Sequence, residues 1–290
     1  MALKAALFNF NGIIIHDENI RQTLSEQVLL AENLRPNPDD YHDVCVGRSD
    51  RACLNALLSQ RGRAVTDDTL TKLLKKENAA YQTWLDSLDK LPVYPGLEDL
   101  IFRCRSAHIK MAIVTGVERS QVESALAKTG LTEHFPVIVA GDDISVAGSK
   151  PAPDSYLRVI EKLNQTYPDF HLSANECIAI EDTFAGIAAA KNANVPVIGV
   201  AHTYPNHMLQ RRANWVVDYL REIKFDWIGE PFGSVGEPAN QAPTTARTNH
   251  KTTAPEGQES AENKATNGIP PQPNANTEPN TKPNTKSANE

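Results

Sequence analysis

Leu7-Phe8-Asn9-Phe10-Asn11-Gly12 is the stretch whose reading decides the fold. An apolar run over 3–10 leads into it, and Ile13-Ile14-Ile15 follows the glycine. A short continuous apolar run that ends at a turn reads as a buried strand. Asn9 and Asn11 then fall at its C-terminal end. Open α/β sheets bind their ligands outside that end. A carboxylate at position 9 could attack phosphorus and hold a divalent metal. A carboxamide is neutral, a poor nucleophile and a weak metal ligand.

Four more apolar, β-rich runs follow, at 110–114, 137–140, 177–180 and 195–200. Stretches of helical spacing lie before and between them, at 97–107, 120–128, 155–163 and 184–191. Strands alternating with helices imply right-handed crossovers and a parallel sheet. Between the first strand and residue 95 the pattern changes. Its periodic segments, 18–34, 50–61 and 67–88, are all helical. Pro36 and Pro38 break the first from the next, and Pro92 and Pro95 close the set. The expected architecture is an α/β, Rossmann-like parallel sheet core over 1–15 and 93–228, with a helical cap over 16–92 inserted above the sheet's active edge. The connections at both ends of the cap would act as hinges.

Over 229–290 the composition shifts to Pro, Asn, Thr, Ala, Glu and Lys. So little apolar surface cannot offset the entropy of ordering, which predicts a disordered tail. Its charges nearly cancel, so it resembles neither a basic arm nor an acidic block. It is read as a tether, through which a protein partner could be reached. The chain of 290 residues carries a net charge of -7, with pI about 5.7. That balance gives no reason to expect nucleic acid or an anionic membrane as partner. No apolar run reaches the length of a membrane span. The first strand starts close to Met1, leaving no room for a signal peptide. Cys45, Cys53, Cys104 and Cys177 lack CxxC spacing and are expected as reduced, mostly buried thiols of a cytoplasmic protein. A monomer is the default expectation.

Four motifs fall at predicted strand ends. The first is Asn9-Phe10-Asn11-Gly12. The second is Ile113-Val114-Thr115-Gly116, a hydroxyl followed by a glycine. The third is Gly148-Ser149-Lys150-Pro151-Ala152-Pro153-Asp154, a lysine in a proline-stiffened loop. The fourth is Ile180-Glu181-Asp182-Thr183-Phe184-Ala185-Gly186, two acids before a helix. In this order and spacing, residues 1–228 resemble the haloacid dehalogenase superfamily, and within it the branch of β-phosphoglucomutase and phosphoglycolate phosphatase with a helical cap. Tyr94-Pro95-Gly96-Leu97 resembles the Pro-Gly entry after that cap. Gly47, Arg48 and Ser49 look like its substrate-facing loop.

The resemblance implies a mechanism. Position 9 would be an aspartate nucleophile that becomes an aspartyl-phosphate. Position 11 would be an aspartate serving as general acid and base. Thr115, Gly116 and Lys150 would hold the phosphoryl oxygens. Asp182 would ligate Mg²⁺ together with position 9 and the backbone carbonyl of position 11, supported by Glu181. This chain departs from the pattern at the chemistry itself. Asn9 cannot form an acyl-phosphate, and Asn11 cannot shuttle a proton near neutral pH. His16 stands where the branch often has a further acid.

Taken singly, these residues have plainer readings. Thr115-Gly116 is a common strand-to-helix turn, Lys150 an ordinary surface lysine, Glu181-Asp182 an acidic pair at a helix start. His16 could equally be a polar group at a helix entry. Asp142-Asp143 reads as a turn and helix cap. His202, His207, Arg211 and Arg212 read as surface groups. Trp84, Trp215 and Trp227 read as packing residues. Two functions compete. One is a catalytically impaired member that binds a phosphorylated small molecule or a partner, with Mg²⁺ weakened or lost. The other is an active Mg²⁺-dependent phosphatase or sugar-phosphate mutase with altered chemistry.

Overall fold

The computed structural model describes residues 2–225. The tail expected over 229–290 and Trp227 lie outside the described residues. Six parallel strands form one sheet: β1 Ala5–Phe8, β2 Lys110–Val114, β3 Val137–Val139, β4 Cys177–Glu181, β5 Val197–Val200 and β6 Trp215–Val217. Their order is β3-β2-β1-β4-β5-β6. β1 lies at the centre, paired with β2 on one side and β4 on the other, with Phe8 opposite both Ile113 and Ile180. The chain reverses direction across the sheet there, and the ends of β1, β2 and β4 converge.

The alternation of side chains along each strand divides the core. Phe8, Ile113, Ile180 and Ile198 face one side, with Leu100 and Leu126 packed on them. Leu7, Val114, Ala179 and Val197 face the other, under Tyr156, Leu163 and Ile187. Both faces are covered, as a parallel sheet requires. Apolar burial on both faces explains why the strands read as continuous apolar runs. β6 lies outside the five apolar runs of the sequence. Three residues beyond Arg211 and Arg212 are too short a run to register as a strand, and only pairing with β5 makes them one.

The helices of the insertion are α1 Glu18–Ala31, α2 Asp50–Gln60 and α3 Asp67–Ser87, with a single π turn at Tyr41–Cys45. Val28 and Leu29, Leu54 and Leu57, and Leu70, Leu73 and Leu74 make a separate apolar cluster. These residues recur at helical spacing, so one stripe of each helix is buried. Ser49 and Thr66 start the second and third helices, each accepting a backbone N–H two residues into the first turn. The core helices are α4 Leu97–Ser106, α5 Arg119–Thr129, α6 Asp154–Thr166, α7 Phe184–Asn192 and the short α8 Asn206–Leu209. Trp84 and Trp215 pack against the core as expected. Asp142 and Asp143 cap as expected, Asp143 its own short 3-10 turn over Gly141–Asp143 and Asp142 the neighbouring helix α5. Asp142 accepts the Arg119 N–H at the start of α5, and Asp143 accepts that of Ala140.

The cysteines correct one expectation. Cys104 and Cys177 are free and buried. Cys45 and Cys53 are joined in a disulfide, with Cα atoms 4.6 Å apart. The turn through Gly47 folds the π segment back on α2, a proximity that an eight-residue spacing does not announce. Among the described residues, no helix is long and apolar enough to cross a membrane.

Candidate active site

Asn9 leaves the end of β1 buried, and each polar atom of its side chain is engaged. Its Nδ2 donates to the Asn11 carbonyl at 2.7 Å and to Asp182 Oδ1 at 3.0 Å. Its Oδ1 accepts from Lys150 Nζ at 3.0 Å. Asn11 Nδ2 donates to both oxygens of Asp17, at 2.8 and 2.9 Å. Gly12 makes this crossing possible. It has φ of +77°, and a Cβ there would sit 1.9 Å from Asp182 Oδ2. Any other residue would be strained in its backbone and would push Asp182 away.

Lys150 enters from the loop before α6 and is buried. Besides Asn9 it donates to the Val114 carbonyl at 3.0 Å and to Glu181 Oε1 at 2.6 Å. An ammonium has three protons, and all three are used inside the protein. Glu181 Oε1 also accepts from Tyr156 Oη at 2.6 Å. Asp182 Oδ2 accepts from Thr203. Burial and the neighbouring Glu181 push the Asp182 carboxyl up to about 7, against the hydrogen bonds from Thr203 and Asn9. Thr115 Oγ1 accepts the Val117 N–H.

The cap loop is seated directly on the core. Ser49 N–H donates to Ser149 Oγ at 2.8 Å, and Asp50 N–H to the Gly116 carbonyl at 3.2 Å. A Cβ on Gly116 would lie 2.5 Å from the Arg48 carbonyl oxygen. Gly47 rests against Thr183 in the same way. Gly47 and Ser49 therefore dock this loop, and Arg48 between them lines the adjoining cavity. Its Nε is buried without a hydrogen-bond partner.

A cavity of about 50 Å³ remains, bounded by Asn9, Asn11, Glu18, Arg48, Asp50 and Asp182. That is room for roughly three or four water-sized groups, the scale of one phosphoryl group. Glu18 lines it, with its Oε2 buried and without a hydrogen-bond partner. Burial, then Asp17 and Asp182, push the Glu18 carboxyl up to about 8. A second space of about 240 Å³ adjoins, sharing Glu18 and Thr203 with the first and lined also by His16, Tyr94 and His202.

The strand-end residues Asn9, Asn11, Lys150, Glu181 and Asp182 come together, beside neighbours that no sequence motif marks. Glu18, Arg21, Asp17 and Thr203 reach the site only through folding, and nothing in their local sequence marks them. His202 corrects an expectation. It is half-buried, with its ring stacked 4.0 Å from that of Tyr94, and its Nδ1–H donates to the Gly12 carbonyl at 2.6 Å. His16 lines only the outer space, 3.9 Å from Glu18 Oε2. His207, Arg211 and Arg212 are exposed as expected, and the Arg212 guanidinium also lies over the Phe184 ring.

The Mg²⁺ that the family resemblance implies does not suit these side chains. Magnesium takes oxygen ligands, and Asn9 turns an NH₂ group toward Asn11 and Asp182. Among the described residues, no three His, Cys, Asp or Glu side chains are grouped to hold a metal ion.

The chain is similar in sequence to protein CbbY of Rhodobacter capsulatus, 27% identical over 225 residues that make up 76% of this chain and 95% of that one. It is 26% identical to validoxylamine A 7'-phosphate phosphatase of Streptomyces hygroscopicus subsp. limoneus, over 78% of this chain and 98% of the relative. Its fold matches the crystal structure of β-phosphoglucomutase from Clostridium difficile with a TM-score of 0.67 at 22% identity, over 78% and 96% of the two chains. The family model for haloacid dehalogenase-like hydrolases matches residues 6–200, and the chain belongs to that family.

Proposed function

We propose that this chain binds a phosphorylated small molecule in the cavity between cap and sheet edge and does not turn it over as the family's phosphatases and mutases do. The observation that carries the reading is the Asn9 carboxamide at the end of β1, held by Lys150, Asn11 and Asp182. Covalent phosphoryl transfer needs a nucleophile there, and an amide oxygen that accepts from Lys150 is not one. Asn11 removes the acid and base, which typically contribute about 10²–10⁴-fold. Its side chain is committed to Asp17 instead.

A phosphorylated ligand is supported by the relatives, one of which is named for a phosphate ester. It is supported also by Arg48, whose unpaired Nε offers a donor in a cavity the size of one phosphoryl group. Arg48 takes the anion-holding role that the family resemblance implies for Lys150, whose donors are spent. With residues 49 and 50 seated on Ser149 and Gly116, the helices of 16–92 roof the cavity. In this reading that segment is the cap, and 1–15 with 93–228 is the core.

Hydrolysis of p-nitrophenyl phosphate by the wild type and by the Asn9→Asp/Asn11→Asp variant tests the catalytic part. The wild type stays near background and the double variant gains activity. Strong wild-type turnover that is lost in Asp182→Ala would overturn the reading. Calorimetry with hexose phosphates and phosphoglycolate tests the binding part. Heat that disappears in Arg48→Ala supports it, and no binding to any of them overturns it.

A further inference from the structure

We propose that the Asn9 carboxamide nitrogen stands in the place of the family's divalent cation, so that this pocket works without one. The inference rests on the family's placement of the cation among positions 9, 11 and 182, and not on which ligand the cavity takes.

Lys150 dictates the arrangement. An ammonium can only donate, and an amide has one oxygen. Buried Lys150 takes that oxygen, Asn9 Oδ1, at 3.0 Å. The Nδ2 group must then face the other way. There it meets the Asn11 carbonyl at 2.7 Å and Asp182 Oδ1 at 3.0 Å. These are the two remaining oxygens that the family resemblance gives to the metal. Turning the amide over would set NH₂ against ammonium on one side. On the other it would set a carbonyl oxygen against a carbonyl and a carboxylate. Neither set of contacts can be made in a buried site.

An aspartate at position 9 behaves differently. One oxygen would serve Lys150, and the other would face Asp182 and the Asn11 carbonyl. Three oxygens converging in a buried site need a cation or a shared proton between them. The amide supplies two protons at that point and removes the need. The remaining Asp182 oxygen is also satisfied within the protein, by Thr203. The Asn11 carbonyl and both Asp182 oxygens, which would recruit a cation, are thus already bonded, and of the neighbouring Glu181 only Oε1 is engaged, its Oε2 staying buried without a hydrogen-bond partner.

The full chain is titrated with Mn²⁺ at neutral pH, with free Mn²⁺ read by electron paramagnetic resonance and melting temperature followed in parallel. No phosphorylated compound is present, so a failed ligand titration leaves this result standing. Wild type retains no more Mn²⁺ than Asp182→Asn and shows no metal-dependent rise in melting temperature. Asn9→Asp binds Mn²⁺ at least tenfold more tightly than wild type, and its melting temperature rises with metal. A stoichiometric wild-type site that is lost in Asp182→Asn would overturn the proposal. So would a folded Asn9→Asp chain that gains no affinity. If Asn9→Asp does not fold, the side-chain NH₂ signal of Asn9 in ¹⁵N-labelled wild type decides. Its survival at excess Mn²⁺ supports the proposal, and its selective broadening at low Mn²⁺ overturns it.

Discussion

The Arg21 guanidinium, carried by the cap helix α1, donates to Gln121 Oε1 on the core helix α5 at 2.8 Å, and both side chains are buried. The same guanidinium donates to Asp17 Oδ2 at 2.9 Å and to Asp50 Oδ1 at 3.3 Å. Tyr81 from α3 donates its hydroxyl to Asp17 at 2.6 Å. One arginine therefore joins all three cap helices to the core, beside the cavity that holds Asn11.

Removing Arg21 leaves the buried Asp17 carboxylate and the half-buried Asp50 without their cation. Breaking a buried ion pair from one side costs about 3–5 kcal/mol. Arg21→Ala is expected to lose stability on that scale in urea unfolding. Gln121→Ala removes only one neutral acceptor and should cost far less. Equal losses in the two variants would show that the arginine does not carry the junction.

Gly116→Ala tests the seat of the cap. The added methyl would meet backbone atoms of Arg48 and Ser49, at 2.5 and 2.6 Å. Backbone cannot swing aside as a flexible side chain does, so the cap must lift. Amide exchange at Ser49 and Asp50 should rise while exchange in β1 and β4 stays slow. Unchanged protection at Ser49, whose N–H donates to Ser149 Oγ, would contradict the closed arrangement.

Glu77 on α3 predicts a pH dependence. Burial first, and Asp50 second, raise its carboxyl from 4.5 to about 8, with Arg21 opposing. The folded chain then holds this proton more tightly than the unfolded chain does. The associated stability is present below about 4.5 and is lost as pH rises toward about 8. Glu77→Gln keeps the neutral form at every pH. Its melting temperature should exceed that of wild type at pH 8, and the difference should shrink toward pH 5. A difference that does not vary with pH would show that Glu77 does not titrate in this way.

The Cys45–Cys53 disulfide closes a short loop around Arg48. Constraining a loop of this length stabilises by about 2–3 kcal/mol on the chain-entropy account. Reduction with dithiothreitol, or Cys45→Ser/Cys53→Ser, should lower the urea midpoint accordingly. Cys104→Ser/Cys177→Ser, at two buried free thiols, should respond to reduction as wild type does. No change in midpoint on reducing the wild type would remove the staple from the account of the cap loop.

Much of this protein was legible in its sequence. The parallel sheet was, because strands buried on both faces write continuous apolar runs such as Ala5–Phe8 and Cys177–Glu181. The cap helices were, because their leucines recur at helical spacing around one cluster. The two amides at positions 9 and 11 were, because residue type alone sets what a side chain can donate, accept or lose. Tertiary structure decided the rest. A run of letters does not show that Lys150 spends its three protons internally, that Gly47 and Ser49 dock the cap, or that Cys45 reaches Cys53. Nor does it show which way the Asn9 amide turns. Those outcomes depend on distances between segments far apart in the chain, and hydrogen bonds and disulfides form only where folding brings their atoms within a few ångströms.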